Sequence, residues 1–215
     1  MIVTQKKDEK EVISALKGAK RVFLVGCGDC ATACNTGSEE ALLAWEAVLN
    51  NAGFSVSGKA IPEIGCNAAS IKKALSKATA SLKDADVILV FSCGLGTQTV
   101  KENLRFDLKV LPGCDSLFAG AQAGDNVVNK KCVLCGSCVL ASTETLCPKA
   151  LCPKGMLNGP CGGMNKGKCE IDSNKDCVWV LIHKQAKDKN KLLLISPAQD
   201  FSKHNIYERI NLGQK

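Results

Sequence analysis

Between residues 132 and 177 this chain carries eight cysteines in 46 residues: Cys132, Cys135, Cys138, Cys147, Cys152, Cys161, Cys169 and Cys177. Turn residues at Gly155, Gly159-Pro160, Gly162-Gly163 and Gly167 separate them. A segment of this composition has little apolar surface to bury, so crosslinks must supply what a core cannot. The whole chain has fourteen cysteines. Its opening, MIVTQKKDEKEV, lacks the apolar stretch and small-residue cleavage site of a secretory signal. No run of about 18 uncharged apolar residues occurs, so no membrane span is expected. The sequence therefore predicts a cytoplasmic protein in a reducing compartment, where structural disulfides are rare. In that setting clustered cysteines predict metal.

The formal net charge is +7, which raises the question of nucleic acid. The lysines are scattered (Lys6, Lys7, Lys72, Lys73, Lys130, Lys131, Lys187, Lys189, Lys191) and almost no aromatics lie among them. A four-iron cluster with four thiolates carries roughly −2, so two clusters would cancel about four of the positive charges. A solvated basic surface around anionic clusters is the better reading, with no nucleic-acid partner.

Residues 8–125 alternate strand and helix patterns. Short apolar, β-branched runs at 21–27 (RVFLVGC) and 85–93 (ADVILVFSC) predict buried parallel strands, with weaker strands at 54–60 and 107–111. Helices are predicted at 38–49, capped by Ser38 with Glu39 and Glu40 in the first turn, and at 71–82 and 97–106. That order predicts an α/β fold, a small flavodoxin-like doubly wound parallel sheet. The predicted organisation is this domain over 1–125, an irregular Cys-rich metal-stapled region over 126–177, and a C-terminal helix and tail over 178–215. The helix (VWVLIHKQAK), a short apolar piece (LLLI, 192–195) and the polar tail are the expected partner-docking segment.

In doubly wound sheets, function gathers where strands end and helices begin. The first such loop, GCGDCATACNTGS, holds Cys27, Cys30 and Cys34 where a nucleotide-binding protein would place a phosphate loop. Spacings of two and three let one loop aim three thiolates at corners of a cubane, with Cys66 or Cys93 as the fourth. A zinc site is the alternative; a thioredoxin-like pair of Cys27 and Cys30 leaves Cys34 unexplained. Cys132, Cys135 and Cys138 form the tight triplet that opens a bacterial ferredoxin run. The next cysteines are followed by proline, at Cys147-Pro148 and Cys152-Pro153. Eight cysteines match two four-thiolate sites, holding a cluster or zinc, and spacing does not fix the partition. Cys114, alone in sequence, reads as a small buried hydrophobe.

Enzyme constellations are missing. The two histidines, His183 and His204, read as surface residues, and acids such as Glu63, Asp115 and Glu144 are isolated. No Walker loop or nucleophile elbow occurs, and no catalytic residue is predicted. Trp45 and Trp179 lie in apolar helical patterns and read as core.

The segments GCGDCATACNTG (26–37), SCGLGTQ (92–98), CVLCGSCVL (132–140), CPKALCPKGMLNGPCGG (147–163), GKCEID (167–172) and DCVWVLIHKQAK (176–187) together resemble the methylenetetrahydrofolate reductase C-terminal-domain family. Its stand-alone members are iron–sulfur small subunits of the acetogen-type enzyme. The resemblance implies two or three [4Fe-4S] clusters, with zinc conceivable at one site. It implies a flavin-bearing barrel partner that reduces 5,10-methylenetetrahydrofolate to 5-methyltetrahydrofolate in the reductive acetyl-CoA pathway, and a link to a larger electron-donating complex. It also matches Cys27, Cys30, Cys34, Cys66, Cys93 and the eight later cysteines to family cysteines, and leaves Cys114 out. Rival readings are a zinc-stapled scaffold without electron transfer and an iron–sulfur subunit of another oxidoreductase, such as a heterodisulfide-reductase-like complex.

Overall fold

The structure is a computed structural model that describes residues 1–124 and 127–186. The chain divides into two compact units, Met1–Asn129 and Lys130–Lys215. The first unit runs β1 (Ile2–Lys6), α1 (Glu9–Ala15), β2 (Arg21–Val25), α2 (Cys30–Ala33), α3 (Glu39–Asn51), β3 (Ser55–Ala60), α4 (Ala68–Lys77), α5 (Thr79–Lys83), β4 (Val87–Val90), α6 (Gly94–Glu102), β5 (Lys109–Pro112) and β6 (Cys114–Gly124). β7 (Val127–Cys132) then leads across the division in the sequence.

β2, β3, β4 and β5 form a parallel sheet in the order β3-β2-β4-β5. Because side chains alternate along a strand, β2 and β4 serve two cores at once. Val22, Leu24, Val87 and Leu89 pack with Val12 and Leu16 of the α1 segment and with Leu42, Trp45 and Leu49 of α3. On the opposite face Phe23, Val25, Ile88 and Val90 pack with Ile71 and Leu75 of α4, Leu82 of α5 and Val100 of α6. Helices therefore cover both faces of a parallel sheet, as the strand–helix alternation predicts. Each of the fully buried leucine, isoleucine and phenylalanine side chains among them stabilises the unit by roughly 1.5–3 kcal/mol relative to exposure. The Ser38 cap is present: its side chain accepts the Ala41 N–H at 3.3 Å.

Three details depart from the sequence reading. The helix expected over 71–82 is two helices, α4 and α5, broken at Ala78 (φ −106°, ψ 19°). The strand expected over 85–93 is four residues long, and α6 starts at Gly94 rather than Thr97, with Cys93 as its N-cap. A second sheet, ordered β1-β6-β7, was not anticipated. In it β1 pairs antiparallel with β6 from Lys6↔Cys114 to Ile2↔Ala119, with an irregularity between Val3 and Thr4. β6 reads CDSLFAGAQAG, poor in β-branched residues, so its extended state comes from pairing rather than local preference.

Among its described residues the second unit has little regular structure: a 3-10 turn at Leu140–Ser142, α7 (Pro148–Leu151) and α8 (Val178–Gln185). Its small core is Cys177, Val178, Trp179 and Ile182, with Leu146, Cys152, Met156 and Met164 packed around them. The Trp179 indole N–H donates to the Met156 carbonyl oxygen at 2.9 Å. α8 thus places Val178, Trp179 and Ile182 inside its own unit. The LLLI piece, His204 and the rest of the expected docking tail lie outside the described residues. Among the described residues no helix is long and apolar enough to cross a membrane.

Candidate metal-ligating sites

In the first unit the cysteines collect at the C-terminal edge of the parallel sheet. After β2, the Gly26 N–H donates to Ala60 O, Cys27 N–H to Gly37 O and Gly28 N–H to Pro62 O. These bonds fold the 27–37 loop back on itself and lay it on the loop after β3. A side chain at Gly26 would collide with the Gly37 carbonyl, and one at Gly28 would meet Glu63 O at 3.1 Å, so glycine permits this close approach. Thr32 Oγ1 donates to Cys27 O at 2.7 Å, tying α2 to the loop.

The three thiols of this loop do not converge. Cys27 is buried, and its Sγ would lie 3.1 Å from a Cβ placed on Gly65, the residue before exposed Cys66. The same position on Gly65 would meet Ser92 Oγ at 3.1 Å, next to buried Cys93. Both candidate fourth ligands therefore belong to loops against Cys27. Cys30 and Cys34 bracket the single turn of α2, and four-residue spacing puts them on one helical face. Cys34 Sγ reaches toward Ile2 O of β1 at 4.0 Å. Burial raises the Cys30 thiol above its usual value, a hydrogen bond to the Ile2 backbone opposes it, and the field of the Asp29 carboxylate adds to the rise.

Cys114 behaves as the sequence suggests. It is 4% exposed, and burial pushes its thiol to about 12, against a hydrogen bond with Thr36. Thr36 also shares a 2.6 Å hydroxyl–hydroxyl bond with Thr4, both buried, which fastens β1 to the cysteine loop.

In the second unit, backbone geometry aims donors at sulfur. Leu134 adopts φ 55°, and its N–H donates to Cys132 Sγ at 3.3 Å. Lys149 Nζ donates to Cys135 Sγ at 3.4 Å and to Ser137 O at 2.8 Å. Burial raises the Cys135 thiol, but hydrogen bonding to the Ser137 backbone and the Lys149 ammonium outweighs it, leaving the thiol below its usual value. Further along, Cys152, Cys161, Cys169 and Cys177 all line one cavity of about 40 Å³, whose walls include Met164 and Trp179. Cys169 N–H donates to Lys175 O at 2.9 Å and Cys177 N–H to Gly167 O at 2.8 Å, so a short antiparallel turn pairs their backbones. The Glu170 carboxylate, beside Cys169, receives Lys154 Nζ and the Cys161 thiol, the latter at 3.4 Å.

Among the described residues no three His, Cys, Asp or Glu side chains stand close enough to hold a metal ion as they are placed. The donor sets still fit thiolate-bound metal in kind: four thiols around one cavity in the second unit, and N–H groups directed at sulfur. Lys149, Lys154 and Glu170 were missed by the sequence reading. The available signal was the repeated tripeptide Cys-Pro-Lys at 147–149 and 152–154.

No curated protein and no solved structure matches this chain. Residues 111–204 match a family model described as methylene-tetrahydrofolate reductase C terminal, and this stretch takes in all eight cysteines of the second unit. Over that stretch, somewhat less than half of its length, the chain is similar to the C-terminal region of methylene-tetrahydrofolate reductases.

Proposed function

We propose that this chain is an iron–sulfur electron-transfer and assembly subunit of a methylenetetrahydrofolate reductase complex. The observation that carries this reading is the family match over 111–204, coincident with the cysteine-rich unit. The flavin-bearing barrel partner would carry the folate chemistry, reducing 5,10-methylenetetrahydrofolate to 5-methyltetrahydrofolate. The clusters, when bound, supply one-electron transfer. This chain's own residues would hold them: Cys27, Cys30, Cys34 and Cys66 or Cys93 in the first unit, and the eight later cysteines in the second. The Leu134 N–H on Cys132 and the Lys149 ammonium on Cys135 set the electron density at sulfur. The location proposed is the cytoplasm, without nucleic acid as a partner.

Anaerobic purification, with iron, sulfide and zinc quantified beside a dithionite-difference spectrum, tests the reading. Roughly eight or more irons with matching sulfide, and bleaching at roughly 400 nm, are expected. A flavin-bearing barrel subunit should then co-purify. Stoichiometric zinc without bleaching would end the electron-transfer reading.

A zinc-stapled scaffold is the second reading, and one observation favours it locally. The cavity lined by Cys152, Cys161, Cys169 and Cys177, at about 40 Å³, has about the room of a single ion or water, and four thiolates are a closed structural zinc set.

A further inference from the structure

The tripeptide Cys-Pro-Lys occurs twice, five residues apart, and α7 is the single turn that runs from the proline of the first copy up to the cysteine of the second. Cys147 is the N-cap of α7 and Cys152 its C-cap. The two lysines reach in different directions. Lys149 reaches the triplet loop, touching Cys135 Sγ and Ser137 O. Lys154 instead pairs with Glu170, whose carboxylate also takes the Cys161 thiol. Cys152 lines a cavity with Cys161, Cys169 and Cys177, and Cys147 is not among its lining residues. Cys152 also packs against the Trp179 core. Each copy of the tripeptide therefore addresses a different set of thiols.

We infer that the eight cysteines of the second unit divide into two four-thiol metal sites, Cys132, Cys135, Cys138 and Cys147 in one and Cys152, Cys161, Cys169 and Cys177 in the other. The inference rests on the metal-binding part of the proposed function, and it does not depend on whether each site holds iron or zinc. It differs from the two-cluster ferredoxin pattern, in which the cysteine before proline serves the other cluster. Here that exchange would move Cys147 to the cavity and Cys152 to the triplet. With α7 rising about 1.5 Å per residue, the backbones of Cys147 and Cys152 stand roughly 7–8 Å apart along its axis, so neighbouring sites share one turn of helix.

Chelator titration of the full chain, purified anaerobically, tests this without any substitution. Thiols freed at each step are alkylated and identified by mass spectrometry. Two groups of four are expected, with Cys147 released alongside Cys135 and Cys152 alongside Cys161. Serine variants at Cys135, Cys147, Cys152 and Cys161 add a second readout, metal content with the electron paramagnetic resonance of the reduced protein. Cys135→Ser and Cys147→Ser should remove one metal complement, and Cys152→Ser and Cys161→Ser the other, while the retained signal reports that the unit still folds. Release of Cys147 with Cys161, or of all eight together, overturns the division. Zinc in both sites with the groups of four intact, and no iron elsewhere in the chain, would overturn the electron-transfer reading alone. A second unit that holds no metal overturns both.

Discussion

Lys149 Nζ stands 3.4 Å from Cys135 Sγ, fourteen residues away in sequence, and 2.8 Å from the carbonyl oxygen of Ser137. One ammonium thus closes the triplet loop onto the first turn of α7. Replacing it with an uncharged side chain of similar length, Lys149→Met, removes a charge-assisted bond to sulfur. The Cys135 thiol, held below its usual value, should then titrate higher, and its thiolate fraction at neutral pH should fall. The pH profile of Cys135 alkylation in the metal-free chain measures this. An unchanged profile would mean the lysine only props the loop.

Trp45 packs on Phe91 with ring centroids 5.1 Å apart and is buried under α3. Trp45→Ala should cost the first unit about 3–5 kcal/mol. Trp179 is the other tryptophan and lies in the second unit. In the variant its fluorescence reports the second unit alone. Denaturation should therefore show the bulk helical signal lost at lower denaturant while the Trp179 transition stays in place.

Asp86 Oδ2 accepts the N–H groups of Lys20 and Arg21, each at 2.8 Å. The Arg21 bond first, and then the Lys20 bond, hold its carboxyl below the ordinary value. A depressed carboxyl contributes stability above its unfolded value and loses it as pH falls through its folded one. Asp86→Asn should consequently unfold at lower urea near neutral pH, and the gap to the parent should close in acid. A gap that persists in acid would assign the effect to packing or geometry rather than charge.

Cys114, with its thiol at about 12, should be among the last cysteines of the metal-free native chain to be alkylated. A thiol raised on folding contributes stability that is fully present below its unfolded value and is lost as pH rises toward its folded one. Between the ordinary thiol value of 9.0 and about 12, it should cost up to about 1.4 kcal/mol for each pH unit. Cys114→Val should flatten that part of the stability curve relative to the parent.

Much of the first unit was legible because local signals agreed with tertiary ones. RVFLV and VILV are continuous apolar runs because β2 and β4 are covered on both faces, and Ser38 followed by two acids marks a helix start. The break at Ala78 was not legible, since no proline or glycine marks it. β6 was not legible either: its partner Ile2–Lys6 lies more than a hundred residues away, and its own residues argue weakly for a strand. Cysteine spacing exposed the ligand candidates. It could not separate Cys147 from Cys152, because that distinction depends on which way Lys149 and Lys154 extend.

α7 has a consequence for how the second unit matures. Its four residues leave almost no slack between the caps Cys147 and Cys152. Whichever site is filled first fixes the direction of that turn, and so presents the neighbouring site with one of its four donors already oriented. The ordering cost of the second filling is correspondingly smaller. Under the proposed division the second site should fill faster than the first, and a lesion in either set of thiols should slow the filling of the other.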